Sequence, residues 1–307
     1  MEIFAFIILN NIAPIFIIIS LGYLLERKFQ LDIYSFSKAN FYIFVPALVF
    51  VKIYETKIEL ELFRTILFGI IFVFLLNIVS VMFSKIRGHN IAKASAFKNS
   101  IMFYNSGNFG LPLITLIFEG MPEAVSIQIM ILMIQNFTTN TLGFYNAGRG
   151  QMQLKETIIS VLKMPTVYAL TGAVVLKAVP VNINELFFWP AIDYMKDGLI
   201  PVALLTLGIQ LSLAEIDLKN IDVYLASAVR LIGAPLLAYL LVSIMGIDGI
   251  MAQVLFISSA VPSAVNTALI AVEFENKPDF ASQIVMTTTL MSAVTLTGVI
   301  YFSYILF

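Results

Sequence analysis

The stretch Tyr104-Asn-Ser-Gly-Asn-Phe-Gly-Leu-Pro112 decides how this chain folds, because it interrupts an otherwise apolar segment from about residue 92 to residue 118. Its nine residues include two asparagines, one serine, two glycines and one proline. A helix that faces lipid does not tolerate such a run, because each unpaired backbone group costs several kcal/mol in hydrocarbon. Non-helical backbone at membrane depth is tolerated where it lines a cavity. The stretch therefore predicts a helix that is broken beside a polar cavity.

A second interruption, Ala260-Val-Pro-Ser-Ala-Val-Asn-Thr267, lies in the apolar segment from about residue 250 to residue 274. Two interrupted segments at corresponding places in two halves of a chain are the sequence feature that best indicates a transporter's binding site. The competing interpretation is that Gly and Pro kink these two helices for packing alone, as they often do in membrane proteins.

The composition is that of an integral membrane protein. Of the 307 residues, 60% are hydrophobic and 12% are charged, whereas soluble domains carry about 25% charged residues. The net charge of −1 gives no reason to expect a nucleic acid partner. Without cysteine, and with its one histidine, His89, expected in a solvated loop, the chain is not expected to bind a metal. The sequence has no H-E-x-x-H, Walker or G-x-S-x-G motif, so we expect neither an enzyme nor an ATP-driven pump.

Ten apolar segments are each close to the ~20 residues that a helix needs to cross about 30 Å of hydrocarbon. Span two contains Ser35, Ser37, Lys38 and Asn40, so we expect it to be bent or partly hydrated. Alternate loops, beginning with the one after span one, hold 13 Lys and Arg residues and the opposite loops hold 5. The first set is therefore predicted to be cytoplasmic, with both termini on the extracytoplasmic side of the cell membrane. The predicted spans are residues 3–25, 35–54, 62–84, 92–118, 123–147, 157–178, 189–213, 222–245, 250–274 and 280–306.

The ten spans divide into two similar halves. When the chain is shifted by 155 positions, Pro46 falls on Pro201, the break at Gly107 falls on Pro262, and the pattern of five spans repeats. Because five is an odd number, the second half must enter the membrane from the opposite side. The predicted fold class is an all-α integral membrane protein of ten transmembrane helices in two inverted five-helix repeats. These repeats are residues 1–150 and 151–307, joined by a linker near residues 151–156.

The candidate substrate-binding residues belong to the two breaks and to the polar face of span five. Each break begins a half-helix, whose N-terminus has unpaired N–H groups and about half a positive charge, and therefore attracts an anion such as a carboxylate. Asparagine, serine and threonine can hydrogen-bond a ligand there, glycine frees the backbone, and proline prevents the helix from closing over the gap. For the polar face of span five, hydrogen bonding between helices is the competing role. The predicted residues are Asn105, Gly107, Asn108, Gly110, Pro112, Pro262, Ser263, Asn266, Thr267, Asn136 and Asn140.

Ionisable residues near the predicted spans are few. Lys98 and Arg230 lie near the starts of spans four and eight. We therefore expect their side chains to extend to the membrane surface rather than to act in the interior. No basic side chain is expected where the two breaks meet.

The segments Asn105–Pro112 and Pro262–Thr267 resemble the auxin efflux carrier family, which includes plant auxin exporters and bacterial permeases for malate and similar acids. The resemblance covers nearly the whole chain, although the long cytoplasmic loop of the plant exporters is absent. It implies the fold of bile-acid sodium symporters, in which broken helices 4 and 9 cross. It also implies a panel of spans 1, 2, 6 and 7 and a core of spans 3, 4, 5, 8, 9 and 10 that moves like an elevator. Relatives commonly form homodimers through their panels.

The sequence thus predicts a secondary active or facilitative transporter of small organic anions, such as dicarboxylates or auxin-like acids. The alternatives are a channel-like facilitator and a transport-derived ligand sensor, and the sensor is disfavoured because the sequence shows no signalling domain. No cofactor is expected. The acidic sodium-binding cluster of the bile-acid relatives has no clear match, so a proton, a sodium ion or no coupling ion are all left open.

Overall fold

The computed structural model describes residues 2–55, 61–148, 159, 162–177, 183–213 and 219–307. The predicted linker near residues 151–156, and with it the boundary between the two predicted repeats, lies outside the described residues. The regular secondary structure of the described residues is helical. The helices are α1 (residues 2–29), α2 (33–55), α3 (Glu61–Ile86), α4 (Ile91–Met102), α5 (Ser106–Ile117), α6 (122–147), α7 (Pro165–Lys177), α8 (Trp189–Asp197), α9 (Leu199–Ser212), α10 (Ile221–Ile244), α11 (Gly249–Ser259), α12 (Val265–Glu273) and α13 (Pro278–Leu306).

Among the described residues, five helices are long and apolar enough to cross a membrane unaided: α1, α2, α3, α10 and α13. Helices α5 and α11 are apolar but shorter. Each of these two is half of a predicted span, because α4 and α5 divide the fourth span and α11 and α12 divide the ninth. The chain is therefore an all-helical, multi-pass membrane protein in which a helix is broken at each of the two predicted places.

Several helices contain a widened, π-helical turn, a feature that often marks functional sites. The first turn of α5, Ser106–Gly110, is of this type. The turn in α2 carries the buried Asn40 and agrees with the predicted bending of span two. The π-turns inside longer helices are Ile8–Ile12 in α1, Asn40–Phe44 in α2, Thr139–Gly143 in α6 and Val229–Gly233 in α10.

Helices α1 and α9 pack closely because each offers a glycine to the other. A Cβ atom at Gly208 would lie 2.0 Å from the carbonyl oxygen of Ile19. A Cβ atom at Gly22 would lie 2.3 Å from the carbonyl oxygen of Leu205. No larger side chain fits at either position unless the backbones move apart. Small residues commonly hold membrane helices together in this way.

The helices form two groups by their contacts. In the α1 group (α1, α2, α7, α8 and α9), α9 packs on α1 and α2, and α2 packs on α7 and α8 around Phe50, Tyr54 and Trp189. In the α3 group (α3 to α6 and α10 to α13), the helices pack on one another around the two broken helices. The two groups meet where α13 contacts α1 and, at a separate seam, where α5 and α6 contact α1, α2 and α9. This seam between the groups is where the candidate site lies.

His89 does not lie in a solvated loop, so that prediction was wrong. Its side chain is 2% exposed, lies 3.2 Å from the carboxylate of Asp222 and packs against the ring of Phe97. Asp222, at the start of α10, also forms ion pairs with Lys93 and, at 2.7 Å, with Arg87. The Asp222 carboxylate thus connects both the turn between α3 and α4 and the first turn of α4 to α10. Burial lowers the pKa of His89, and the Asp222 carboxylate opposes this effect.

Candidate binding site at the crossing of two broken helices

The two breaks meet and satisfy each other's backbone. Helix α4 ends at Met102 and α11 ends at Ser259, and the unwound residues that follow pair as a short antiparallel bridge between Tyr104 and Ser263. The Asn105 N–H donates to the Pro262 carbonyl oxygen at 2.8 Å. The Ala264 N–H donates to the Phe103 carbonyl oxygen at 3.0 Å. Backbone N–H and carbonyl groups of the unwound residues are therefore hydrogen-bonded within the protein, as is required where no water is available.

Asn105 starts the second half of the first broken helix. Its side-chain oxygen accepts a hydrogen bond from the Asn108 N–H at 3.1 Å, which is the usual role of asparagine before the first turn of a helix. Its carbonyl oxygen accepts from the Gly110 N–H at 2.8 Å. Pro112 is the second residue of the α-helical part of α5, which begins at Leu111 directly after the π-turn. Asn105 and Asn108 thus stabilise the first turn of α5, and both also line the cavity described below.

Gln128 of α6 joins the two broken helices. Its side-chain amide donates to the Ser106 carbonyl oxygen at 2.9 Å, and its amide oxygen accepts from the hydroxyl of Ser258. The side chain is fully buried. Gly110 permits this approach, because a Cβ atom there would lie 2.5 Å from the Gln128 amide nitrogen. The polar face of α6 therefore holds the crossing together at this position.

A cavity of about 360 Å³ opens beside the crossing, at the seam between the α1 group and the α3 group. Its wall on the α3 side contains the side chains of Asn105, Asn108, Asn136 and Asn266, together with Gly107. These five are the predicted site residues that the structure brings together. Ligand pockets typically have volumes of ~300–1,000 Å³, so the cavity is at the small end of that range.

The other six predicted residues do not line the cavity. Pro262 and Ser263 form the crossing itself, since the Ser263 hydroxyl donates to the Ser100 carbonyl oxygen at 2.6 Å and the Ser263 N–H donates to Thr288. The Thr267 hydroxyl donates to the Ala264 carbonyl oxygen within its own turn. The remaining three are Gly110 and Pro112 in α5 and Asn140, whose amide donates to a carbonyl oxygen of its own helix.

The sequence did not predict that residues of the α1 group form one wall of the cavity. Asn40 donates to the side-chain oxygen of Asn108 at 2.7 Å, and this hydrogen bond crosses the seam beside the cavity. Lys38 of α2 and Gln210 of α9 also line the cavity, as does Gln135 of α6. The polar run in span two was the available signal. From the sequence alone, this run predicts only that span two is bent or partly hydrated.

The cavity favours negative charge. Among its described lining residues, Lys38 is the one with a full positive charge and none is Asp or Glu. Gly107, Val265 and Asn266 also line it, and they belong to the first turns of α5 and α12. N–H groups in the first turn of a helix have no acceptor within that helix and carry partial positive charge. An anion here would meet amide donors, two half-helix N-termini and one ammonium group.

Arg230 does not extend to the membrane surface, so that prediction was wrong. Its side chain is fully buried in the middle of α10, directly behind the crossing. Lys98 is half-buried and donates to Asn146 of α6 at 3.2 Å. Arg230 is buried because carbonyl groups of both broken helices accept its hydrogen bonds, and these partners are distant in the sequence.

Comparisons with known proteins agree with this architecture. A family model described as membrane transport protein matches residues 7–158 and, a second time, residues 151–300. An uncharacterised transporter of Methanothermobacter thermautotrophicus is 21% identical over 297 residues, which cover 94% of this chain and 95% of that protein. A Rhizobium meliloti protein named "Putative malonate transporter" is 25% identical over 316 residues, which cover 94% of each chain. An uncharacterised transporter of Methanocaldococcus jannaschii is 26% identical over 194 residues, 61% of this chain.

Proposed function

The chain belongs to the membrane transport protein family, that of the auxin efflux carriers, and from this membership we propose that it carries small carboxylate anions across the membrane by alternating access. It is a transporter and not an enzyme. The observation on which the substrate class rests is the cavity at the crossing, which offers amide groups, half-helix N-termini and Lys38, and no Asp or Glu among its described lining residues.

A dicarboxylate of the size of malonate suits this cavity. One carboxylate binds at the first turns of α5 and α12, where Asn108 and Asn266 donate hydrogen bonds. The second carboxylate binds toward Lys38 on the opposite wall. The relative from Rhizobium meliloti, named for malonate, supports the same class of substrate.

A second cavity supports an alternating-access movement. It has a volume of about 230 Å³ and lies at the same seam, between Leu48 and Lys52 of α2, Val125 of α6 and Ile200 of α9. Asn40 lines the first cavity and Lys52 the second. They are twelve positions apart in α2, which corresponds to about 18 Å along the helix. In our proposal the α1 group is the static panel, the α3 group is the core, and the core slides so that the site opens toward each side in turn.

We also propose the finer topology that the sequence predicts. Ten spans in two inverted five-helix repeats put both termini on the same side of the membrane, and the Lys and Arg count assigns that side to the outside. The family model's two matches, to residues 7–158 and 151–300, support an internal repeat. Inverted repeats with a broken helix in each half are typical of carriers whose site lies near the middle of the bilayer.

The test is uptake of radiolabelled malonate by proteoliposomes that contain the purified protein. Asn108→Ala and Asn266→Ala each remove a hydrogen bond to a charged group, worth about 1.5–3 kcal/mol, so we expect KM to rise roughly ten- to a hundredfold. Asn140→Ala is the matched control, because Asn140 bonds only within α6 in the structure and lies outside the cavity. Unchanged KM values in both cavity variants would remove the site assignment. Uptake that never saturates would indicate a channel.

A further inference from the structure

Arg230 is a fully buried cation at the centre of the α3 group. One terminal nitrogen of its guanidinium donates to the carbonyl oxygen of Ile101 at 2.8 Å, and the other donates to the carbonyl oxygen of Ser259. The guanidinium carbon lies 4.7 Å from the centre of the Tyr104 ring. No carboxylate of the described residues forms an ion pair with it.

The two carbonyl groups belong to helix ends that carry negative partial charge. Ile101 lies in the last turn of α4, and Ser259 is the last residue of α11. The last carbonyl groups of a helix lack partners within it, and each helix end corresponds to about half a negative charge. Two helix ends converge on the Arg230 guanidinium. Together they carry about one negative charge, which balances its single positive charge. Arg230 is therefore paired with the crossing itself and not with an acidic side chain.

In carriers built from broken helices, the C-terminal ends of the half-helices and the unwound carbonyl groups are where a coupling cation is coordinated. In this chain the Arg230 side chain already donates hydrogen bonds to carbonyl groups at those helix ends. We infer that Arg230 is a resident cation of the crossing, so that carboxylate transport by this protein does not require sodium. This inference rests on the proposed function. Arg230 acts as a positioning residue: it holds α4, α11 and the ring of Tyr104, which lines the cavity, and it does not itself line the cavity.

The first experiment compares uptake of radiolabelled malonate when sodium is present on both sides of the proteoliposome membrane and when choline replaces it. We expect initial rates that agree within about twofold. A rate that falls about tenfold or more without sodium overturns the inference. Failure of the proposed function has a different result, namely no saturable uptake in either buffer.

The second experiment removes the positive charge of Arg230. Arg230→Gln leaves the two helix ends without a counter-charge, so we expect slow uptake in choline that added sodium or lithium partly restores. Arg230→Lys keeps the charge and should remain independent of sodium, although an ammonium group cannot replace the planar fork of donors and the rate should fall. Arg27→Gln is the matched control, because Arg27 also lies over a tyrosine ring, that of Tyr23, at the exposed end of α1.

A folded Arg230→Gln protein that transports at the wild-type rate in choline overturns the inference, and so does an Arg230→Lys protein that requires sodium. If Arg230→Gln does not yield folded protein, the Arg230→Lys variant and the wild-type comparison decide. A purely structural role would change rates and stability in all buffers alike. Only a resident cation predicts that loss of the charge makes transport depend on an added cation.

Discussion

At the scale of single residues, the proposed binding mode assigns Lys38 to the second charge of a dicarboxylate. Its ammonium group lies 4.2 Å from the centre of the Tyr34 ring, on the wall that faces the asparagines of the crossing. A dicarboxylate can place one charge at the half-helix ends and the other near Lys38. A monocarboxylate uses only one of these two positions, so Lys38 should distinguish between the two kinds of acid.

Lys38→Gln should therefore raise the KM for malonate about tenfold, which corresponds to ~1.4 kcal/mol. We expect much less change in the inhibition constant of a monocarboxylate that competes with malonate, because that ligand has no second charge for Lys38. The measurement is proteoliposome uptake with competing acids. Lys28→Gln is the control, since Lys28 likewise lies over a ring, that of Phe29, but outside the cavity. Equal changes for both kinds of acid would show that Lys38 does not bind the second carboxylate.

The residues that the sequence placed at the crossing are those whose chemistry conflicts with their surroundings. Asn105, Asn108 and Asn266 stand out because polar residues inside apolar segments need a reason to be there. Asn40 and Arg230 could not be assigned correctly, because their roles depend on which helices pack together. Asn40 meets a residue 68 positions away, and Arg230 meets residues 129 and 29 positions away.

At the scale of helices, the close packing of α1 and α9 depends on two glycines. Gly208→Ala would place a methyl group against the Ile19 carbonyl oxygen and push the helices apart, and overpacking of this kind costs about 1–3 kcal/mol. We expect the thermal midpoint of the detergent-solubilised protein to fall. Gly298→Ala, in α13, is the matched control, because a Cβ atom there meets nothing within 4 Å and alanine favours a helix. If both variants unfold at the same temperature, the two backbones are not in the contact described here.

The turn between α3 and α4 should make stability depend on pH. His89 is buried beside Asp222, Arg87 and Lys93, and burial lowers its pKa. The unfolded chain takes up a proton near the ordinary histidine pKa of about 6.5, so the contribution of neutral His89 is complete above that pH and is lost as the pH falls below it. The thermal midpoint of the wild-type protein should therefore decrease between pH 7 and pH 5.5 more than that of His89→Gln. Parallel decreases in the two proteins would contradict this assignment.

Helix positions were predictable because the length of an apolar run fixes where a helix can cross. The predicted spans 62–84 and 222–245 correspond to α3 and to α10 within a few residues. The π-turns were not predictable, because they depend on contacts with neighbouring helices. The unwound part of the first break is also shorter than the sequence suggested, since α5 already begins at Ser106 and includes Gly107, Gly110 and Pro112.

At the scale of the whole molecule, the proposed alternating access requires that the α3 group moves against the α1 group. The groups touch where the hydroxyl of Ser126 in α6 lies 3.4 Å from the carbonyl oxygen of Lys52 in α2. A sliding core must break this contact in every transport cycle. Because the chain contains no cysteine, two introduced thiols can be joined across the seam without side reactions at other positions.

The most direct measurement is malonate uptake by a protein with Lys52→Cys and Ser126→Cys, before and after the two thiols are joined by a short bifunctional methanethiosulfonate, which bonds to each cysteine through a disulfide that a reductant can cleave. A protein with Phe50→Cys and Trp189→Cys is the control, because these residues pack against each other within the α1 group, with ring centres 6.3 Å apart. If the α3 group slides against the α1 group, joining the first pair stops uptake, a reductant restores it, and joining the control pair has no effect. Continued uptake with the first pair joined would contradict the account, since it would mean that the anion passes through a structure that does not move.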